Sequence, residues 1–169
     1  MSSSPIERLY DEHAQAVFAF VLNLLRQEAD TRDVLQDLFV KVSRQPRLLE
    51  GVKDERGFLL RLAHNLAIDL MRRRSTRDRN YEQLAAEKET FFATTDDPDQ
   101  SAFAGSLAEA LGQLPPEQRA VAHLKLWEGQ TFEQIATTLD ISPNTAASRY
   151  RYAIDKMRER LRLIYDKIK

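Results

Sequence analysis

Cysteine is missing altogether. Disulfides, thiolate metal sites and cysteine nucleophiles are thereby excluded, and such a chain suits a reducing compartment. Long apolar runs are missing too. None approaches the roughly 20 residues that span a bilayer. The opening stretch "MSSSPIERLYDEHAQ" has neither a basic n-region nor an apolar h-region, so no secretory signal is expected. The expected location is the cytoplasm, without membrane insertion. An excess of charge of one sign is also absent: 25 Lys and Arg stand against 26 Asp and Glu, a net charge of -1. That balance argues against a generic polyanion binder, which would be basic overall.

Catalytic constellations are equally scarce. His13 and His64 lie in helical patterns without a spaced Glu or His partner, and His123 precedes Leu124. None belongs to an HExxH or a His/Asp/Glu ligand set, so each reads as a helix-face residue. No GxSxG and no phosphate loop occurs. The expectation is a non-enzyme with no catalytic residue, no metal and no cofactor.

What is present is a soluble composition, 43% hydrophobic and 30% charged, arranged at helical spacing. With only five Gly, few positions interrupt it. Leu9, His13, Val17, Phe20, Val21 and Leu24 mark the stripe of a first helix. Val34, Leu35, Leu38, Phe39 and Val42 mark a second, capped by Asp30 or Thr31. Phe58, Leu59, Leu62, Ala63, Leu66 and Leu70 mark a third that ends in "MRRRS". Pro46 and Gly51 break the pattern between the second and third. From Ser75 to Ser106, three basic residues face seven acidic ones, a local -4. This stretch reads as a tether with at most one marginal helix around Tyr81 to Glu89. Helical pattern resumes near Ala102 and restarts at "LPPEQ". The predicted fold class is all-α: two small helical domains joined by a flexible acidic linker, with residues 1–75, 76–103 and 104–169 as the parts. Each domain is small enough that burial alone gives marginal stability.

The most specific pattern is "TFEQIATTLDISPNTAASRYRYAIDKM". Thr131 is placed to cap a helix whose Phe132, Ile135, Ala136 and Leu139 face inward. "DIS" is a short turn with Ile141 as its peg. Ser142 then caps a second helix, with Pro143 at its first position. Ala146, Tyr150, Ala153 and Met157 face inward at spacings of four, three and four. Asn144, Thr145, Ser148, Arg149, Arg151 and Tyr152 remain on or beside the outer face. The small Ala136 and Ala146 permit the close crossing of a helix-turn-helix. Such a second helix offers donors for base edges and phosphates, and its N-terminus favours a phosphate. From Pro143 to Lys169 eight basic residues face three acidic ones, a local +5. The basic residues alone would fit a solvated helix face equally well; the capped helix and the peg before them tip the reading to DNA.

"LPPEQRAVAHLKLWEGQTFEQIATTLDISPNTAASRYRYAIDKMRERL" resembles the promoter-reading sigma-4 domain of bacterial extracytoplasmic-function (ECF) RNA polymerase sigma factors. The likeness runs through the LP-x-x-x-R start, the EG before the motif, E-x-I-A and T-x-x-SR. "DVLQDLFVKV" and "GFLLRLAHNLAIDLMRRR" resemble the D-x-x-Q-[ED]-x-F-x-[KR] and F/W-L-x-R-I-A-x-N-x-x-x-D-x-x-R-R segments of the sigma-2 domain of the same family. The resemblance implies binding to core RNA polymerase, through the β′ clamp helices and the β flap, and to promoter DNA, with an anti-sigma factor as inhibitor. It places Asp33, Gln36, Asp37, Phe39 and Lys41 on the polymerase-docking helix, where an apolar anchor within a charged rim suits an interface. It places Leu48, Leu49, Lys53, Arg61 and Asn65 around a flipped base of the −10 element, with Arg72 and Arg73 on phosphates. Asn144, Thr145, Ser148, Arg149, Arg151 and Tyr152 would read the −35 element. Read without the resemblance, Asp33 and Asp37 fit a solvated face and Asn65 fits a bond within its own helix. Arg72, Arg73 and Arg74 equally fit dipole capping at a helix C-terminus.

The chain departs from the family pattern at Ala147, where a basic residue is common, and at Arg32, where an acid is common. Leu60 replaces a common Tyr and Phe58 stands near a frequent Trp. Thr31 offers a hydroxyl where some family members are phosphorylated. The implied function is promoter-specific transcription initiation, two weak DNA grips joined by a tether whose negative charge suits a cationic channel of the polymerase. A stand-alone helix-turn-helix transcription regulator and a helical adaptor are the alternatives.

Overall fold

A computed structural model describes residues 4–77 and 98–168, with side chains at 4–75, 105–163 and 166. Among the described residues there are seven α-helices and no strand: α1 (Pro5–Leu25), α2 (Glu28–Arg44), α3 (Glu55–Arg77), α4 (Pro98–Gly112), α5 (Pro116–Leu126), α6 (Phe132–Leu139) and α7 (Pro143–Ile168), with a 3-10 turn at Pro46–Leu49. The chain divides into two compact units, the first holding α1 to α3 and the second α4, α5, most of α6 and α7. The acidic stretch 76–103 is described only at its ends: residues 76–77 finish α3, and 98–103 already belong to α4. The marginal helix around Tyr81 to Glu89 lies outside the described residues.

In the first unit α1, α2 and α3 pack against one another pairwise. Ser4 starts α1 with a reciprocal box: Glu7 N–H donates to Ser4 Oγ (3.2 Å) and Ser4 N–H to Glu7 Oε2 (3.3 Å), so two orphan amides are satisfied at once. Leu9, Val17, Phe20, Val21 and Leu24 of α1 are buried, as are Val34, Leu35, Leu38 and Val42 of α2. The predicted caps of α2 are displaced. The helix begins at Glu28 after Gln27, which makes no side-chain cap, so Asp30 and Thr31 fall within the first turn. Asp30 is taken up instead by Arg74, and the Thr31 hydroxyl donates to the Gln27 carbonyl at 2.7 Å.

The core face of α3 is also turned from its predicted phase. Leu59, Leu60, Ala63 and Ala67 are fully buried, while Leu62, Leu66 and Leu70 are half-buried. Leu60, which stands where the family commonly has Tyr, is a core residue. In a helix so rich in leucine several stripes are available, and contact with two neighbours rather than one decides among them.

In the second unit Ala110, Leu111, Leu114, Ala122, Ala153 and Met157 form one buried cluster, joined by Leu107, Trp127 and Leu161. Arg119 is buried, and its guanidinium donates to the Gly112 carbonyl at the end of α4 (3.4 Å). The arginine of the LP-x-x-x-R motif thus caps a helix C-terminus. After α5, Gly129 takes φ 65° and Gln130 N–H reaches back to the Leu124 carbonyl at 3.0 Å. A left-handed position there is what glycine provides without strain.

Candidate nucleic-acid and polymerase interfaces

The helix-turn-helix is built by two side-chain caps. Thr131 and Gln134 cap α6 reciprocally, with Gln134 N–H to Thr131 Oγ1 at 3.1 Å and Thr131 N–H to Gln134 Oε1 at 2.8 Å. The turn closes by Ile141 N–H to the Ala136 carbonyl at 3.0 Å, with Asp140 left-handed at φ 56°. Ser142 Oγ accepts from Thr145 N–H at 3.1 Å and lies 2.8 Å from Thr145 Oγ1. The Thr145 hydroxyl is therefore occupied in part by the cap. Ile135, Ala136, Leu139, Ala146, Ala153 and Met157 are buried, whereas Ile141 is only half-buried. Phe132 meets Tyr150 edge-on at 5.7 Å and carries the Lys125 ammonium over its ring at 4.6 Å. Asn144, Ser148, Arg151 and Tyr152 are exposed along one side of α7, and Thr145 and Arg149 are half-buried beside them. No acid lies in the first turn of α7, so nothing on its own helix neutralises the positive end of the helix dipole.

The second surface joins the 45–54 segment to α3. Leu48 and Leu49 are half-buried on the 3-10 turn, and Lys53 is exposed. Asp54 then caps α3 by accepting from Gly57 N–H at 3.0 Å. A Cβ on residue 57 would sit 2.3 Å from Asp54 Oδ2, so the Asp54 side chain would have to shift to accommodate one. Arg61, Asn65 and Arg72 are exposed. Spacings of four and seven set them in one row along α3. Arg73 is exposed as well, its Nε reaching the Asp69 carbonyl at 3.4 Å. Arg74 behaves differently: it forms a two-pronged ion pair with Asp30 and donates to Gln27 Oε1 at 3.0 Å.

The third surface lies on α2 and α1. Asp33, Gln36 and Asp37 are exposed, Lys41 and Phe39 half-buried. The Phe39 ring meets Tyr10 of α1 edge-on at 5.1 Å. These two line a groove of about 790 Å³ with Phe18, Leu35 and Val40, beside Arg32 and Arg44. Val40 is 40% exposed and Tyr10 53%. Nothing in the spacing of the sequence marks Phe18 or Val40; for Tyr10, an aromatic lying off the Leu9–Val17 stripe is the available signal. Arg32 forms an ion pair with Glu28. Thr31 is fully buried with its hydroxyl engaged, so a kinase cannot reach it in this fold.

One arrangement corrects the sequence reading directly. His13, which has no spaced Glu or His partner in the sequence, has Nε2 3.6 Å from Glu12 and 3.7 Å from Glu55. These three are the one grouping among the described residues with the spacing of metal ligands. Both carboxylates already face Arg8, however, at 3.2 Å for Glu12 and 3.0–3.1 Å for Glu55. The group is a charge staple between α1 and the start of α3. The Arg8 hydrogen bonds hold the Glu55 carboxyl below its ordinary range, against the opposing effect of desolvation, and Arg8 is raised in return.

Comparison with known proteins identifies the family. Residues 9–77 match the family model of Sigma-70 region 2, and residues 104–157 match that of Sigma-70, region 4. The ECF RNA polymerase sigma factor SigL of Mycobacterium tuberculosis is 34% identical over 152 residues, covering 89% of this chain and 85% of the relative. This chain belongs to the ECF RNA polymerase sigma factors. As a sigma factor it directs transcription initiation. CarQ of Myxococcus xanthus, an RNA polymerase sigma factor, is 31% identical over 92% of this chain and 88% of its own length. Among solved structures, the sigma factor RpoE in complex with the anti-sigma factor NepR from Bartonella quintana shares the fold, with a TM-score of 0.68 and 21% identity over 87% of this chain and 90% of that one. CnrH in complex with the cytosolic domain of CnrY does so with a TM-score of 0.62 and 22% identity, over 94% of this chain and 88% of that one. Among the described residues no helix is long and apolar enough to cross a membrane.

Proposed function

We propose that this sigma factor grips the β′ clamp helices of core RNA polymerase through the α1–α2 groove. Phe39 and Tyr10 are the apolar anchor, and Asp33, Gln36, Asp37 and Lys41 the polar surround. Residues 1–75 then read the −10 element, with Leu48, Leu49, Lys53, Arg61 and Asn65 around a flipped base and Arg72 and Arg73 on phosphates. Residues 104–169 engage the β flap and read the −35 element through Asn144, Thr145, Ser148, Arg149, Arg151 and Tyr152. The protein works in the cytoplasm, is not itself an enzyme and needs no metal or cofactor. Segment 76–103 is the acidic tether. An anti-sigma factor, of the kind that NepR is for the solved sigma factor RpoE, is a further partner.

The observation that carries this reading is the separation of faces on α3 and α7. Arg61, Asn65 and Arg72 lie away from Ala63 and Ala67, and Asn144, Ser148 and Arg151 lie away from Ala146, Ala153 and Met157. Polar side chains spared from core packing can meet phosphates and base edges. Pull-down with purified core polymerase, paired with footprinting of the chain alone, tests it. Binding to core and no footprint without it are expected; a footprint without core, and no core binding, would instead mark a stand-alone regulator. Phe39→Ala should weaken core binding by about 2 kcal/mol, as an interface anchor does, while the far-UV circular dichroism keeps its helical signal. Lost helicity would make Phe39 a core residue.

A further inference from the structure

The last three arginines of "MRRR" look interchangeable in sequence, yet α3 sends them in different directions. Arg72 follows Asn65 by seven residues and stays in the row with Arg61. Arg74 follows Ala67 by seven and Ala63 by eleven, both buried, so it lies on the side that packs into the unit. Across from it is the first turn of α2, the helix that carries Asp33, Gln36 and Phe39. There Asp30 is 5% exposed. Its two carboxylate oxygens accept from the two terminal nitrogens of Arg74, and Gln27 Oε1 accepts from one of them at 3.0 Å. A fork-to-fork pair of this kind fixes orientation as well as distance. It also leaves Arg74 with little capacity to meet a phosphate unless it abandons a nearly buried carboxylate, and an unpaired buried charge is costly.

We infer that Arg74 is a positioning residue, latched through Asp30 and Gln27 to the polymerase-docking helix α2, so that the helix presenting Arg61, Asn65 and Arg72 is held in fixed register with the surface that grips the enzyme. This rests on the functional assignments above. The pair has a directional logic. Asp30 sits where the α2 dipole favours an anion and Arg74 near the end of α3, where it favours a cation, so each residue suits its helix end before the two meet.

The test is the salt dependence of holoenzyme binding to a −10 fork DNA. Each lost phosphate contact lowers the slope of log K against log salt by about 0.7–0.9. Arg72→Gln and Arg73→Gln should each lower it by that amount. Arg74→Gln should leave the slope unchanged and reduce affinity at every salt by up to about fivefold, the effect of a half-exposed ion pair. Asp30→Asn separates the roles further. A latch predicts the same loss as Arg74→Gln and no further loss in the double variant, with core affinity intact. A phosphate contact predicts that Asp30→Asn, by releasing Arg74, leaves DNA binding unchanged or tighter. That result, or a slope lowered by Arg74→Gln, overturns the inference. If Asp30→Asn does not fold, Arg74→Lys and Gln27→Ala carry the same test, each expected to lose affinity at constant slope. Unchanged slopes for all three arginines, with the double-variant cycle still non-additive, would strike the DNA assignment and leave the latch standing.

Discussion

Helices α3 and α7 both carry arginines on a solvent face, yet they begin in opposite ways. Asp54 caps α3, and Glu55 in its first turn is pinned by Arg8. Its N-terminal positive end is therefore answered twice from within the protein. The neutral Ser142 caps α7, with Pro143 first in the helix and no acid in the first turn. Its positive end is left for an anion from outside. Under the function proposed above, α7 therefore meets a duplex groove by its start, while α3 offers its flank and its far end. The preceding 3-10 turn adds half-buried Leu48 and Leu49, apolar surface suited to an unstacked base.

The largest effect is expected on the core flank of α3. Leu59→Ala, at a site with no exposure, should cost about 2–5 kcal/mol in urea unfolding. A small cost would mean that the face opposite to Arg61 and Asn65 has been misassigned. On α7, Arg151→Ala should cost about 1–3 kcal/mol of promoter binding if the guanidinium grips a base, with preference relaxed at one position of the −35 element. Equal loss across all promoter sequences would make it a phosphate contact.

A smaller effect has opposite signs on stability and binding. Asn144→Asp puts an acid in the first turn of α7 and should stabilise the helix by about 0.3–1 kcal/mol. It should at the same time weaken −35 binding in an electrophoretic assay; unchanged binding would deny that the start of α7 meets phosphate. The smallest effect is on α3. Because Arg8 depresses the Glu55 carboxyl, its stabilising pair is intact above the ordinary value of 4.5 and is lost as pH falls through the lower folded value. The gap in melting temperature between wild type and Glu55→Gln should therefore be full at neutral pH and close on acidification below that value. A gap that persists at low pH would assign the loss to packing.

Much of this was legible in the sequence. The stripes of α1 and α2 and the caps at Thr131 and Ser142 depend on neighbours a few residues apart, and there local spacing suffices. The misreadings share one cause, partners far along the chain. Asp30 looks like a cap until Arg74, 44 residues later, takes its carboxylate. His13 looks solitary until Glu55 arrives from α3. Leu60 and Leu62 are equivalent by composition, and only the packing of α3 within the unit selects Leu60. At the site, the resemblance supplied Phe39 but not Tyr10, because the groove exists only where two helices meet. The run of three arginines hides a division of labour set by helical phase and by a distant acid.

Run-off transcription with purified core polymerase decides whether this chain gives the enzyme its promoters. With this sigma factor added, transcripts should start at discrete promoters and disappear when the α7 surface is altered by Arg151→Ala together with Asn144→Asp. Initiation no different from that of core enzyme alone would mean that this chain supplies no promoter selectivity.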